Sequence, residues 1–323
     1  MNTLSNGDFA FSKKMKMPLI VAPMFLVSNP AMTIAACRAG VIGSYPAHAT
    51  RTREIFGEWL VETEAGLQAA ADAGENPAPF AVNLVVHSSN ARMEGDLELV
   101  LKHEVPIVLT SKGAPDDVFS KIHDYGGVAF HDVASARHAE KAVAAGADAL
   151  IAVAGGAGGH CGTINPFALV NEIKQVTDRP IILAGGLTCG QDVLAAETMG
   201  ASMAYMGTRF IATEESLAPK AYSDALIEGK ATDIFLSAAL DGAPANWYAP
   251  SLVKAGIDLD ELSATRPGKI VTSDGQSKQR YKGIWSAGHG IGATRSVVSV
   301  QALCEQLINE YRDARTALQH KLA

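Results

Sequence analysis

The chain has 323 residues, 48% of them hydrophobic and 19% charged, with a formal net charge of -7. That balance allows a sizeable core and argues against a nucleic-acid surface, and no apolar run is long enough to span a bilayer. Four widely spaced cysteines, Cys37, Cys161, Cys189 and Cys304, form no C-x-x-C pair, which fits a reducing cytoplasm and excludes a disulfide framework or a zinc site.

Leu19-Ile20-Val21-Ala22, closed by Pro23, reads as a first strand. Ser28-Asn29-Pro30 supplies a helix cap, with the helix over 31–39 and a stop at Gly40. Strands are predicted next over 41–44, 80–86, 107–110, 128–131 and 149–153, then 180–184 and 203–206, with helices between them. The joints Ala39-Gly40-Val41, Ala145-Gly146-Ala147 and Met199-Gly200-Ala201 share one design, a glycine ending a helix directly before a strand. Eight such units predict an α/β fold, a (β/α)8 TIM barrel formed by residues 1–220 and 276–323. A doubly wound sheet would need fewer strands and a dinucleotide fingerprint after the first, which is missing. Over 221–275 the pattern breaks at Asp241-Gly-Ala-Pro, Trp247-Tyr248-Ala-Pro and Arg266-Pro-Gly. This segment reads as a small, mainly helical inserted domain, a lid for the barrel mouth. Trp247 and Tyr248 serve either as that lid or as the segment's own core.

The stretch of greatest chemical interest is Ala149 to Gly162, in which an apolar strand ends in a glycine loop that delivers His160 beside Cys161. Barrel enzymes place their chemistry on loops at the carboxyl ends of strands. Glycines there allow close backbone approach to a ligand. Ala184-Gly185-Gly186 and Met206-Gly207-Thr208 end two further strands, where barrels commonly bind a phosphate through backbone N–H groups and a helix N-terminus.

Taken in order, Ala22-Pro23-Met24, Asn83, Gly158-Gly159-His160, Ala184-Gly185-Gly186, Met206-Gly207-Thr208 and Gly283-Ile284-Trp285-Ser286 resemble the motifs of the nitronate monooxygenase family, formerly the 2-nitropropane dioxygenases. The resemblance runs from about Pro18 to the C-terminus. It implies an FMN-dependent oxidoreductase whose flavin is held noncovalently on a barrel. It implies that Gly185, Gly186, Met206, Gly207 and Thr208 hold the phosphate. Ala22, Pro23, Met24, Asn83, Val153, Gly158 and Gly159 border the flavin, His160 is the general base, and Trp285 and Ser286 line the substrate pocket. His131 stands where some relatives carry lysine and is a second candidate flavin contact. Val153 and Gly156 depart from the polar residue and the glutamate of many relatives. A base with a pKa near neutrality suits removal of the α-proton of a nitroalkane. The implied partners are a nitronate or nitroalkane and O2, with no metal, and a homodimer stays open. The rival readings are an NAD(P)H-dependent quinone or enoyl-thioester reductase on the same FMN barrel, a flavin-free phosphate-binding isomerase or lyase, and a noncatalytic binding module. Cys161 is a rival nucleophile to His160 as base.

Overall fold

A computed structural model describes residues 9–87, 89–113, 117–240, 242–264 and 283–322. The barrel strands are β1 (Leu19–Val21), β2 (Gly43–Pro46), β3 (Phe80–Val85), β4 (Ile107–Ser111), β5 (Val128–Val133), β6 (Ala149–Val153), β8 (Ile181–Ala184) and β9 (Met203–Met206). They pair in parallel in the order β1-β9-β8-β6-β5-β4-β3-β2. A bridge from Ile20 to Ile42 joins the two ends, so the expected barrel closes. The second strand starts later than the sequence pattern suggests. Ile42 serves that closure, the Val41 N–H donates back to Ala36 O, and Gly43 pairs with Phe80 of β3.

Side chains cap helices at Asn29, as the sequence predicts, and at Ser135. In α1 (Pro30–Ala39) the Met32 N–H donates to Asn29 Oδ1 at 3.1 Å, and in α5 (Ala136–Ala145) the His138 N–H donates to Ser135 Oγ. Gly40, Gly146 and Gly200 take left-handed φ values of 95°, 106° and 100°. Alternation along the strands sorts the core into two shells. Leu150, Leu183, Val82 and Val108 face outward to helices such as α2 (Arg53–Asp72) and α6 (Pro166–Lys174). Ile20, Leu109, Phe130, Ile151, Ile182 and Met203 fill the interior. Phe9 seals its lower end, stacked on Phe11 at 5.0 Å and tilted against Phe130 at 5.1 Å. The final helix α12 (Val300–Leu322) packs on α1 and on α7 (Gly190–Met199). Among the described residues no helix is long and apolar enough to cross a membrane.

The segment after α9 (Lys220–Glu228) contains two short helices, α10 (Ala249–Lys254) and α11 (Leu259–Ala264), and two strands that the helical expectation lacked. β10 (Ile234–Ser237) pairs antiparallel with β11 (Ala245–Tyr248), and β11 pairs with β7 (Gly159–His160). Tertiary pairing with the glycine loop makes these residues strands; their own sequence is too short and too broken by turns to show a period. Trp247 is buried with Ala239, Leu240, Ala245, Leu252 and Leu262, so it forms the segment's own core. Asp241 and Arg266-Pro-Gly, which helped to mark the insertion in the sequence, lie outside the described residues.

Candidate active site

The barrel interior is fully buried at its base and partly exposed at the carboxyl ends of the strands. Phe130, Ile151 and Ile182 are fully buried, whereas Asp132, Val153 and Tyr205, one step further along β5, β6 and β9, keep partial exposure. Ala22, Pro23 and Met24 follow β1 at the same level and are also half-buried. Asn83 joins this layer from β3, its Nδ2 donating to Leu109 O at 3.2 Å and Ser111 Oγ at 3.3 Å. The mouth therefore presents half-buried, largely apolar side chains with a few polar groups among them, a lining suited to a cofactor.

His160 stands at the rim of this mouth on β7, exposed, with backbone pairing to Ala245. The loop before it is clamped from two sides. Asn246 Nδ2 donates to Ala157 O at 2.7 Å, and the Cys161 N–H donates to Pro244 O at 3.0 Å. On the other side the His289 N–H donates to Gly156 O at 2.9 Å. A Cβ on Gly158 would lie 2.7 Å from the Gly288 nitrogen. Loop-against-loop packing thus accounts for the missing side chain at Gly158. Ser286 Oγ lies 3.7 Å from the position a Gly159 Cβ would take. Trp285 stacks on Tyr222 at 5.2 Å, and the Tyr222 hydroxyl donates to Ser286 O. These contacts fix the Trp285-Ser286 loop beside the histidine. Burial pushes the Cys161 thiol up to about 11, which disfavours the thiolate a nucleophile needs.

The phosphate-end expectation changes in one respect. The helix after Gly185-Gly186 is α7, and its N-terminus is already capped. Asp192 Oδ2 accepts from the Thr188 N–H at 2.7 Å, and Glu310 Oε2 accepts from the Gly190 N–H at 2.8 Å. Two carboxylates thus occupy the place an anion would take. Of the strand-end glycines only Gly186 is open, since a Cβ on Gly185 would lie 3.2 Å from the carbonyl oxygens of Ala154 and Gly155 and one on Gly207 3.4 Å from Ala22 Cβ. An added Cβ on Gly186, at φ +77°, would meet nothing within 4 Å. Thr208 Oγ1 accepts from the Gly288 N–H at 2.9 Å, tying this corner to the His160 loop. Arg209 follows, buried, with Nη1 donating to Ala293 O at 2.8 Å and an Nε that has no partner among the described residues. A buried cation beside two glycine turns fits a phosphate.

Two side chains proposed for the cofactor point elsewhere. His131 faces the helix layer, not the barrel interior. Its Nδ1 lies 2.7 Å from Thr110 Oγ1, and its ring meets Phe119 of α4 (Val118–Asp124) edge-on at 6.1 Å. Burial, and then His138, lower its pKa to about 4, so it is a neutral core histidine. Met206 likewise packs into the outer shell, and only its backbone reaches the mouth, where its carbonyl accepts from the Ala22 N–H at 3.0 Å. The interior position on β5 belongs to Asp132, which sequence reasoning missed because it ended that strand two residues early.

Asp132 carries an unpartnered, buried Oδ1, and burial raises its pKa from 3.8 to about 7. The raised value means that folding favours the protonated acid. Its stabilising contribution is complete below pH 3.8 and is lost as pH rises through about 7. Asp132→Asn is therefore expected to raise the melting temperature of the cofactor-free protein at pH 8 and to change it little at pH 4. An equal shift at both values would refute this reading of the carboxyl.

The profile of the family described as "Nitronate monooxygenase" matches residues 10–310. The chain belongs to the nitronate monooxygenase family. It is similar to the nitronate monooxygenase of Paraburkholderia phytofirmans, 28% identical over 92% of this chain and 93% of that one. It also resembles a (3aS,4S,5R,7aS)-5-hydroxy-7a-methyl-1-oxo-octahydro-1H-indene-4-carboxyl-CoA dehydrogenase of Rhodococcus jostii, 28% identical over 70% of this chain. That match spans 61% of the relative's length. Among solved structures, the nitroalkane oxidase of Streptomyces ansochromogenes superposes with a TM-score of 0.81 at 25% identity, covering 96% of this chain and all of that one. The family is one of flavin-dependent oxidoreductases, and its barrel is the one described above.

Proposed function

We propose that the chain is an FMN-dependent oxidoreductase that oxidises alkyl nitronates, and the nitroalkanes they derive from, with O2 to carbonyl compounds and nitrite. One observation carries the reading beyond family membership. The Lys112 ammonium lies 3.2 Å from His160 Nε2. An ammonium has donors only, so a hydrogen bond at this distance requires Nε2 as the acceptor, and in that tautomer the ring can take a proton. A histidine in that form, at the rim of a largely apolar mouth, suits abstraction of a carbon-bound proton.

In this reading Gly185, Gly186, Gly207 and Thr208 hold the FMN phosphate, with Arg209 behind them. Ala22, Pro23, Met24, Asn83, Val153, Gly158 and Gly159 border the ring and ribityl chain, with Asp132 below. FMN, when bound, supplies the electron acceptor and the reactivity toward O2. His160 removes or orients the α-proton, and Trp285 and Ser286 bound the substrate. A second reading, oxidation or reduction of a coenzyme A thioester, draws support from the Rhodococcus jostii relative, because a thioester α-proton asks for the same base.

Anaerobic addition of 2-propyl nitronate to the purified yellow protein tests this, with NADH and NADPH in parallel. Bleaching of the flavin by the nitronate and not by the nucleotides is expected. Fast bleaching by either nucleotide, with none by the nitronate, would make the protein a reductase.

A further inference from the structure

Lys112 lies one residue beyond β4 and takes no part in the sequence motifs. Its φ is +55°, a left-handed conformation that is strained for a non-glycine residue. Strain of this kind persists where the surroundings fix it, and it clusters at ligand clamps. The next residue, Gly113, has φ +124°, and a Cβ there would lie 2.9 Å from Val86 O. The turn is therefore pressed against the chain that follows β3.

This turn aims the lysine across the barrel mouth, where Nζ reaches His160 Nε2. His48 lies within electrostatic reach of it, its pKa lowered to about 4 by burial and then by Lys112 and Arg92. His48 is thus a neutral neighbour, and its ring stacks on the exposed Phe25 at 5.3 Å. Among the described residues no carboxylate forms an ion pair with Lys112. Among the described residues the cation therefore has the His160 ring as its hydrogen-bonding neighbour and the His48 ring, stacked on Phe25, in its electrostatic surroundings.

We propose that Lys112 is a specificity residue that binds an anionic oxygen of the substrate beside His160, selecting small planar oxyanions with an alkyl tail. The proposal rests on the reading of His160 as the base. An arriving oxyanion takes the ammonium and frees Nε2 to face the substrate carbon. With a neutral nitroalkane, the α-proton moves to Nε2 and the C–H electron pair moves into the nitro group. The new negative charge on the nitro oxygens stands against the Lys112 ammonium, and His160 becomes the imidazolium. With a preformed nitronate no proton moves, and the ammonium meets a charge already present.

Propionate, a planar oxyanion that cannot react, separates binding from turnover. Calorimetric titration of the holoenzyme is expected to show propionate binding that weakens with salt. In Lys112→Met its Kd rises about tenfold or more, the loss of one charge-assisted hydrogen bond, and the salt dependence flattens. Lys112→Arg keeps the charge and restores the salt dependence. In steady-state turnover, Lys112→Met raises KM for the nitronate more than it lowers kcat. Unchanged propionate affinity and salt dependence in Lys112→Met would overturn the proposal, and so would loss of the salt dependence in Lys112→Arg. If propionate binding depends on Lys112 but the wild type does not oxidise nitronates, the anion site stands and the nitronate reading falls. If wild type and Lys112→Met oxidise the nitronate with equal KM, the nitronate reading stands and the anion site falls.

Discussion

His160→Asn is expected to lower turnover of a neutral nitroalkane by about 10²–10⁴-fold, the range for losing a general base. The fold and the bound cofactor should survive. The pairing of β7 with β11 is carried by backbone groups at Gly159 and His160, which asparagine retains. An amide can keep a hydrogen bond to the Lys112 ammonium, but it cannot take and hold a proton. Preformed nitronate needs no proton removed, so its oxidation should fall much less. Stopped-flow flavin reduction under argon, with nitroalkane and nitronate compared in both proteins, reads the difference. Equal rates on the nitroalkane would remove His160 from the role of base. Loss of the yellow colour would make it a cofactor residue instead.

The barrel was legible because each unit carries its own local signals. The asparagine cap of α1, the serine cap of α5 and the glycine stops at Gly40, Gly146 and Gly200 depend on neighbours in sequence, and all are found in place. The rim of the mouth was legible only in part. Which face a strand residue takes depends on register, and register is set by pairing with another strand. His131 and Asp132 show the cost of ending β5 early, since one step along the strand exchanges the helix layer for the barrel interior. β10 and β11 were hidden for a related reason. Their partner is a two-residue strand inside a glycine loop, and nothing local to residues 234–248 announces it. Lys112 and Arg209 escaped because an isolated cation carries no pattern, and only the assembled mouth gives each of them a neighbour.

Gly158→Ala should damage the site as a whole, and comparison with Gly186→Ala separates space from backbone conformation. Gly186 has a left-handed φ of +77° but open surroundings, so alanine there meets mainly the cost of that conformation, about 1–2 kcal/mol. Gly158 is the reverse case. Its φ lies outside the left-handed range, yet a Cβ would lie 2.7 Å from the Gly288 nitrogen and 2.9 Å from the Ala287 carbonyl carbon. Both obstacles are backbone and cannot rotate away. Gly288 cannot retreat freely either, because its N–H donates to Thr208 Oγ1. The added methyl group must therefore push the His160 loop outward, overpacking that costs about 1–3 kcal/mol. A displacement of about 1 Å at His160 costs on the order of 10²-fold in rate. Because the same movement disturbs Thr208, nitronate and nitroalkane oxidation should both fall, and the affinity for FMN with them. That pattern differs from His160→Asn, which spares the nitronate. Flavin content, melting temperature and turnover of the two substrates, measured together on Gly158→Ala and Gly186→Ala, distinguish the cases. Wild-type turnover in Gly158→Ala would mean that the two loops separate without moving the histidine, and that their contact does not position the base.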